Sequence, residues 1–312
     1  MQRGDLTMLN IHRHMENNFK DNYEMINSER NLHGLANHPS HINTIDFHHY
    51  LQEKYLGHLS LIIDLQTYLE KDDLKMCYQP LIGLKTGETI CAEALIRWQH
   101  KLSGSISPEL FIPLAEQTGH IHALTYWVLN HTLQQLHSWK NGSIDIDVAV
   151  NLSMFNLHDD NFPLQVSRLL DKWSIPPDQL ILEITESVFM HNPEQTISVL
   201  QRLNDLGTRL SLDDFGTGYS SLSHLARLPI SELKIDRSLI TDIDKNSRNA
   251  KIVRSTIVLA QELGLKIVAE GVESKKVYNI LKDYGCNTAQ GYYFSKPIND
   301  VEFSSWYGKT CI

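Results

Sequence analysis

Apolar positions recur at helical spacing from His58 onward. Leu59, Leu61, Ile62, Leu65, Tyr68 and Leu69 fall on one face of an amphipathic helix. Two strand-like runs follow, Lys75-Met76-Cys77-Tyr78-Gln79-Pro80 and Thr89-Ile90-Cys91-Ala92-Glu93-Ala94-Leu95. The turn between them carries Lys85-Thr86-Gly87 and is short enough for a hairpin, which predicts one strand antiparallel to its neighbours. The chain then alternates. Strands are predicted over 144–152, 180–185, 208–213, 232–235, 265–270 and 288–294. Helices are predicted over 108–118, 123–139, 162–173, 193–206, 250–263 and 275–284. Leu180-Ile181-Leu182 and Leu265-Lys266-Ile267-Val268-Ala269 are nearly continuous apolar runs, as expected of parallel strands covered on both faces. Eight strands with interleaved helices predict a TIM-like (β/α)8 barrel of the α/β class with one antiparallel strand. A doubly wound open sheet is disfavoured, because no glycine-rich phosphate loop follows the first strand.

The first fifty-odd residues lack this periodicity. Eight of the 16 histidines lie between His12 and His58, at irregular spacing and without a companion cysteine or acidic cluster. That pattern favours a linker with scattered histidines over a metal-binding tract. The expected organisation is a linker over residues 1–55 and a folded domain over 56–312.

Composition narrows the class of function. The 312 residues are 42% hydrophobic and 21% charged, which excludes disordered and collagen-like chains. The net charge of −9 argues against a protein that grips duplex nucleic acid. A phosphate-bearing ligand stays open, because a bound cation reverses the local sign. Cys77, Cys91, Cys286 and Cys311 form no CxxC pair, and no apolar run reaches membrane-spanning length. The expectation is a soluble, cytoplasmic domain. Membrane attachment would have to come from a longer parent protein.

The polar residues at predicted strand ends carry the chemistry. They are Glu93, Asn151, Glu183, Asp213, Asp214, Lys234, Glu270 and Gln290. In a barrel the carboxyl ends of all strands meet at one rim, so these residues would share one bowl. A single acid after a strand is often just the N-cap of the next helix. Five carboxylates with one lysine leave a charge near −4, and like charges brought together need a cation. Mg²⁺ or Mn²⁺ suits such an all-oxygen set. Asp213 and Asp214 can both face the bowl only where their strand breaks into the glycine-containing loop 215–221.

These residues stand in stretches that resemble EAL-type cyclic di-GMP phosphodiesterases from about Leu59 to Phe303. Glu93-Ala94-Leu95 is the signature triplet, set near Tyr78-Gln79-Pro80 and followed by Arg97-Trp98. Phe111-Ile112-Pro113-Leu114-Ala115-Glu116, Val150-Asn151-Leu152-Ser153 and Glu183-Ile184-Thr185-Glu186-Ser187 also match. So do the run from Asp213 to Leu222, Leu233-Lys234-Ile235-Asp236, Glu270-Gly271-Val272-Glu273 and Gln290-Gly291-Tyr292. The resemblance implies hydrolysis of cyclic di-GMP to linear pGpG with two Mg²⁺ or Mn²⁺ ions. It assigns the metals to Glu93, Asn151, Glu183, Asp213, Asp214 and Glu270. Catalytic roles go to Glu93, Lys234, Asp214 and Gln290, with Lys234 beside the attacking water. Arg97 and Gln79 would bind substrate, and Glu186 would steady the loop after Asp214. A receptor that binds the dinucleotide with little turnover is the alternative. An enolase-like barrel fits poorly, because it does not account for the paired aspartates, Asn151 and Gln290.

Two further expectations concern partners. Met1–Met8 is similar to the closing helix of a GGDEF domain, which implies fusion to GGDEF and sensory domains. Leu222, Leu225, Ala226 and Leu228 form an apolar face that either packs on the core of the same chain or pairs with a second copy; the resemblance implies the second, a homodimer.

Overall fold

The computed structural model describes residues 60–186, 193–216 and 227–308, together with Gly57 and Leu225. The chain divides into two units, Met1–Asp64 and Leu65–Ile312. The boundary expected at residue 55 and residues 222–224 and 226 of the proposed dimer segment lie outside the described residues; Leu225 and Leu228 of that segment are buried within the single chain. Within the described residues no helix is long and apolar enough to cross a membrane.

Residues 60–70 are helical, and the helix leads into β1 (Lys75–Gly83). The other strands are β2 (Thr89–His100), β3 (Gly104–Ile106), β4 (Asp147–Asn151), β5 (Leu180–Thr185), β6 (Arg209–Phe215), β7 (Glu232–Ile235), β8 (Lys266–Ala269) and β9 (Thr288–Ala289). Their order is β1-β9-β8-β7-β6-β5-β4-β2-β3, and a β1–β2 pairing closes the ring. Eight strands form the barrel, and β3 is a short addition that pairs with β2. β1 runs antiparallel to both β2 and β9, while β2 and β4 through β9 are mutually parallel. One antiparallel strand was expected, and the structure shows it to be β1. A β1–β2 hairpin needs only a short turn, whereas a parallel pair would need a crossover.

Inside the barrel Leu81, Cys91, Ala149, Ile181 and Val268 pack together. Helices cover the outside of the ring. Pro108–Gln117 and Phe162–Trp173 both begin with proline in the first turn, where the missing N–H costs nothing.

Three of the differences from the sequence reading have a clear local reason. The strand predicted from residue 144 starts at Asp147. Ser143 at φ 67° closes the preceding helix, and the Ile144 amide still donates to Trp139 O (2.9 Å). The last strand stops at Ala289 rather than 294, because the chain folds over at Gly291 and Phe294 N donates back to Gly291 O (3.1 Å). The helix Asp300–Trp306, absent from the prediction, is nucleated by a capping box between Asn299 and Glu302.

Candidate active site

Parallel pairing carries the predicted residues to one end of the barrel. Asn151 of β4 stands opposite Glu183 of β5, and Thr185 stands opposite Asp213 of β6. Glu93 is buried on β2, opposite Gln79 of β1. One carboxylate oxygen of Glu93 accepts from Asn151 Nδ2 (2.8 Å) and the other from Gln290 Nε2 (2.5 Å). Gln290 also donates to Gln79 Oε1 (3.0 Å), and Gln79 donates to the Ser295 carbonyl (3.0 Å). Two amides thus fix both oxygens of the signature glutamate.

Lys234, at 1% exposure, is the centre of the second half of the bowl. Its Nζ contacts Glu270 Oε1 (2.7 Å), Glu183 Oε2 (3.0 Å) and Asp213 Oδ2 (3.1 Å). β6 shows how both aspartates take part. The β6–β7 register shifts between Leu212 and Phe215, and Asp214 takes φ 57°, in the left-handed region. That break in alternation turns neighbouring side chains the same way, as the loop argument required. Carboxylate oxygens of Asp213, Asp214 and Glu270 lie within 4.8 Å of one another. Asp213 Oδ1 also accepts from the Asp214 amide (2.8 Å), and Glu186 Oε1 accepts from the Gly216 amide (3.3 Å).

Charge and burial act against each other here. Burial disfavours ionised Glu93, yet Lys234, the Gln290 and Asn151 amides and Arg97 together hold its pKa below the ordinary value. Glu183 is pushed well up by burial and by Glu93, Asp213 and Glu270, against the pull of Lys234. Glu270 rises to about 7, chiefly through burial and the charge of Asp213 and Glu93, with Lys234 opposing. Burial and Asp213 raise Asp214. For Lys234 burial favours the neutral amine, but Glu183, Glu93, Glu270 and Asp213 outweigh it and lift its pKa well above the usual value. It is an ammonium ion.

One lysine does not neutralise five carboxylates. Buried Glu183 Oε1 and Gln290 Oε1 accept no hydrogen bond, so the bowl holds spare oxygen acceptors as well as excess negative charge. This donor set fits hard divalent cations. Every residue in the predicted set lies in or beside the bowl. Arg97 is half-buried further along β2, with Nη1 donating to Ile96 O (2.8 Å). The sequence reading passed over Glu232, which is buried on β7 two residues before Lys234 and is raised mainly by burial. Strand alternation from Lys234 would have pointed to it.

The EAL domain model matches residues 63–297. This chain belongs to the EAL domain family. It is 42% identical over 241 residues to the bifunctional diguanylate cyclase/cyclic di-GMP phosphodiesterase MucR of Pseudomonas aeruginosa, covering 77% of this chain and 35% of MucR. It is 39% identical over 257 residues to the cyclic di-GMP phosphodiesterase PdeR of Escherichia coli, covering 82% of this chain and 39% of PdeR. The chain therefore spans little more than a third of these relatives. Among solved structures, the MucR phosphodiesterase in complex with c-di-GMP superposes with a TM-score of 0.74 at 41% identity. That match covers 78% of this chain and 99% of the other. The EAL signature glutamate is the residue held here by Asn151 and Gln290.

Proposed function

We propose that this EAL domain hydrolyses cyclic di-GMP to linear pGpG. The observation that carries the reading is the buried ammonium of Lys234 among Glu183, Asp213 and Glu270, beside the paired Asp213 and Asp214. In this reading Glu93, Asn151, Glu183, Asp213, Asp214 and Glu270 hold two Mg²⁺ or Mn²⁺ ions. Such ions act as Lewis acids, which acidify water and offset charge on phosphoryl oxygens. Lys234, in contact with Glu183, Asp213 and Glu270, orients the attacking water and steadies developing negative charge. Gln290 keeps Glu93 in place, Arg97 and Gln79 bind substrate, and Glu186 steadies the backbone after Asp214 through Gly216. Incubation with Mg²⁺ or Mn²⁺ and cyclic di-GMP, followed by chromatography, tests this directly. Accumulation of pGpG is expected; tight binding without turnover would mean a receptor instead.

Metal binding should also change the pH dependence of stability. Raised carboxyl pKa values mean that the folded chain holds more protons than the unfolded one. Stability of the metal-free protein is therefore lost as pH rises from the ordinary value of 4.5 toward about 7 for Glu270. A cation displaces those protons and removes the repulsion. The rise in Tm on adding Mg²⁺ is expected to be larger near pH 8 than near pH 6. Equal increments at both would contradict metal binding at these carboxylates.

The same reading takes residues 1–55 as an interdomain linker that includes the tail of a preceding GGDEF domain, in a cytoplasmic part of a longer signalling protein. It also takes residues 222–228 as a dimer contact that supports the Asp213–Asp214 loop. Sedimentation and specific activity across a dilution series check the dimer. Full activity from a monomer at every concentration would exclude it.

A further inference from the structure

The stretch from Phe111 to Glu116 and the Ser153 beside Asn151 matched the family pattern without acquiring a role. The geometry links them. Ser153 follows Asn151 by two residues in the turn that leaves β4. Its hydroxyl donates to Glu116 Oε1 (2.7 Å) and accepts from the Phe155 amide (3.2 Å). Its backbone amide donates to Asn156 Oδ1 (3.2 Å), which also accepts from Thr125 Oγ1 (3.0 Å). Asn156 is buried at 1% exposure, so this anchor belongs to the packed interior. Between the two residues, the Leu152 amide donates to Glu183 O (2.8 Å).

Asn151 itself is exposed, and among the described residues its side chain makes one hydrogen bond, to Glu93. Its backbone is held on one side by pairing with Glu183 of β5 and on the other by the anchored turn at Ser153. We propose that Glu116 is a positioning residue, which sets the Asn151 side chain against Glu93 by clamping Ser153. A charged acceptor makes a shorter and stronger bond to a hydroxyl than a neutral one, which suits a clamp on a half-exposed turn. The helix Pro108–Gln117 follows directly from the β2–β3 hairpin. The clamp therefore joins the β2 unit, which bears Glu93, to the β4 unit, which bears Asn151.

This inference rests on reading Asn151 as a metal ligand, and the test separates the two. Mn²⁺ binding to the whole chain, measured by calorimetry, is compared for wild type, Asn151→Ala, Glu116→Ala, Ser153→Ala, the Glu116→Ala/Ser153→Ala double variant and Glu116→Gln. Glu116→Ala and Ser153→Ala are each expected to weaken Mn²⁺ binding about tenfold, on the scale of losing a group that orients a ligand. The double variant should be no weaker than either single one, because both remove one bond. Glu116→Gln keeps an acceptor and should stay within about threefold of wild type. A merely structural role would lower Tm and leave Mn²⁺ affinity alone. Wild-type affinity in Glu116→Ala, with weakened binding in Asn151→Ala, would overturn the positioning role. Wild-type affinity in Asn151→Ala would remove the ligand reading itself and the inference with it.

Discussion

Replacing Lys234 with methionine is expected to cut cyclic di-GMP turnover about 10²–10³-fold, the usual loss when one preorganised electrostatic stabiliser is removed. Methionine nearly fills the volume, so the change removes charge without opening a large cavity. In the metal-free chain it leaves Glu183, Asp213 and Glu270 without their shared cation. Breaking a buried pair in this way costs about 3–5 kcal/mol. Part of that loss should disappear here, because Glu183 and Glu270 already favour protonation and can neutralise themselves. The variant should therefore melt lower than wild type in chelator, and the gap should narrow in saturating Mg²⁺. Metal affinity should be retained, since the carboxylates all remain. Turnover within tenfold of wild type would remove Lys234 from the chemistry. A collapse of metal affinity would make it a charge balancer alone.

What was legible in the sequence follows from what each feature requires. A buried parallel strand must be apolar, so β5 and β8 stood out, and their ends located Glu183 and Glu270. The hairpin turn at 85–87 revealed that one strand of the first pair runs against the rest. Asp213 and Asp214 were readable as a pair, and the break in alternation needed to use both was readable from the glycine after Phe215. The form of that break was not readable. The bulge and the φ of 57° at Asp214 depend on register with β7, a contact between distant parts of the chain. The same holds for the two amides on Glu93. Asn151 and Gln290 each lay at a strand end, but their convergence on opposite oxygens is set by barrel closure through β1. β9 was overdrawn because Tyr292, Tyr293 and Phe294 suit a strand by composition, while hydrogen bonds to Val272 turn the chain away.

Those bonds make Gly291→Ala the other large expected effect. A Cβ at Gly291 would sit 2.7 Å from the Val272 carbonyl carbon and closer still to the Val272 nitrogen and oxygen. Those neighbours are backbone, so no side-chain rotation relieves the clash. Nor can Val272 retreat. It is fully buried, its amide donates to Gln290 O (3.0 Å), and its carbonyl accepts from Tyr293 N (2.9 Å). Room for a methyl group appears only if these bonds break, and the Gln290 backbone moves with them. Overpacking of this kind costs about 3 kcal/mol or more. For a domain of this size that lowers Tm by on the order of 5–10 °C. The displaced Gln290 would also release Glu93 Oε2, so turnover should fall with stability. Two controls separate the causes. Gly104 has φ 72° and nothing within 4 Å of a new Cβ, so Gly104→Ala carries backbone strain alone and should cost about 1 kcal/mol. Gln290→Ala deletes the contact to Glu93 without a clash and should lose turnover with a smaller loss of Tm than Gly291→Ala, because it leaves buried acceptors unpaired but breaks no backbone bond. If Gly291→Ala melts like Gly104→Ala and turns over normally, the crossing of the β8 and β9 exits is not what holds Gln290 against the signature glutamate.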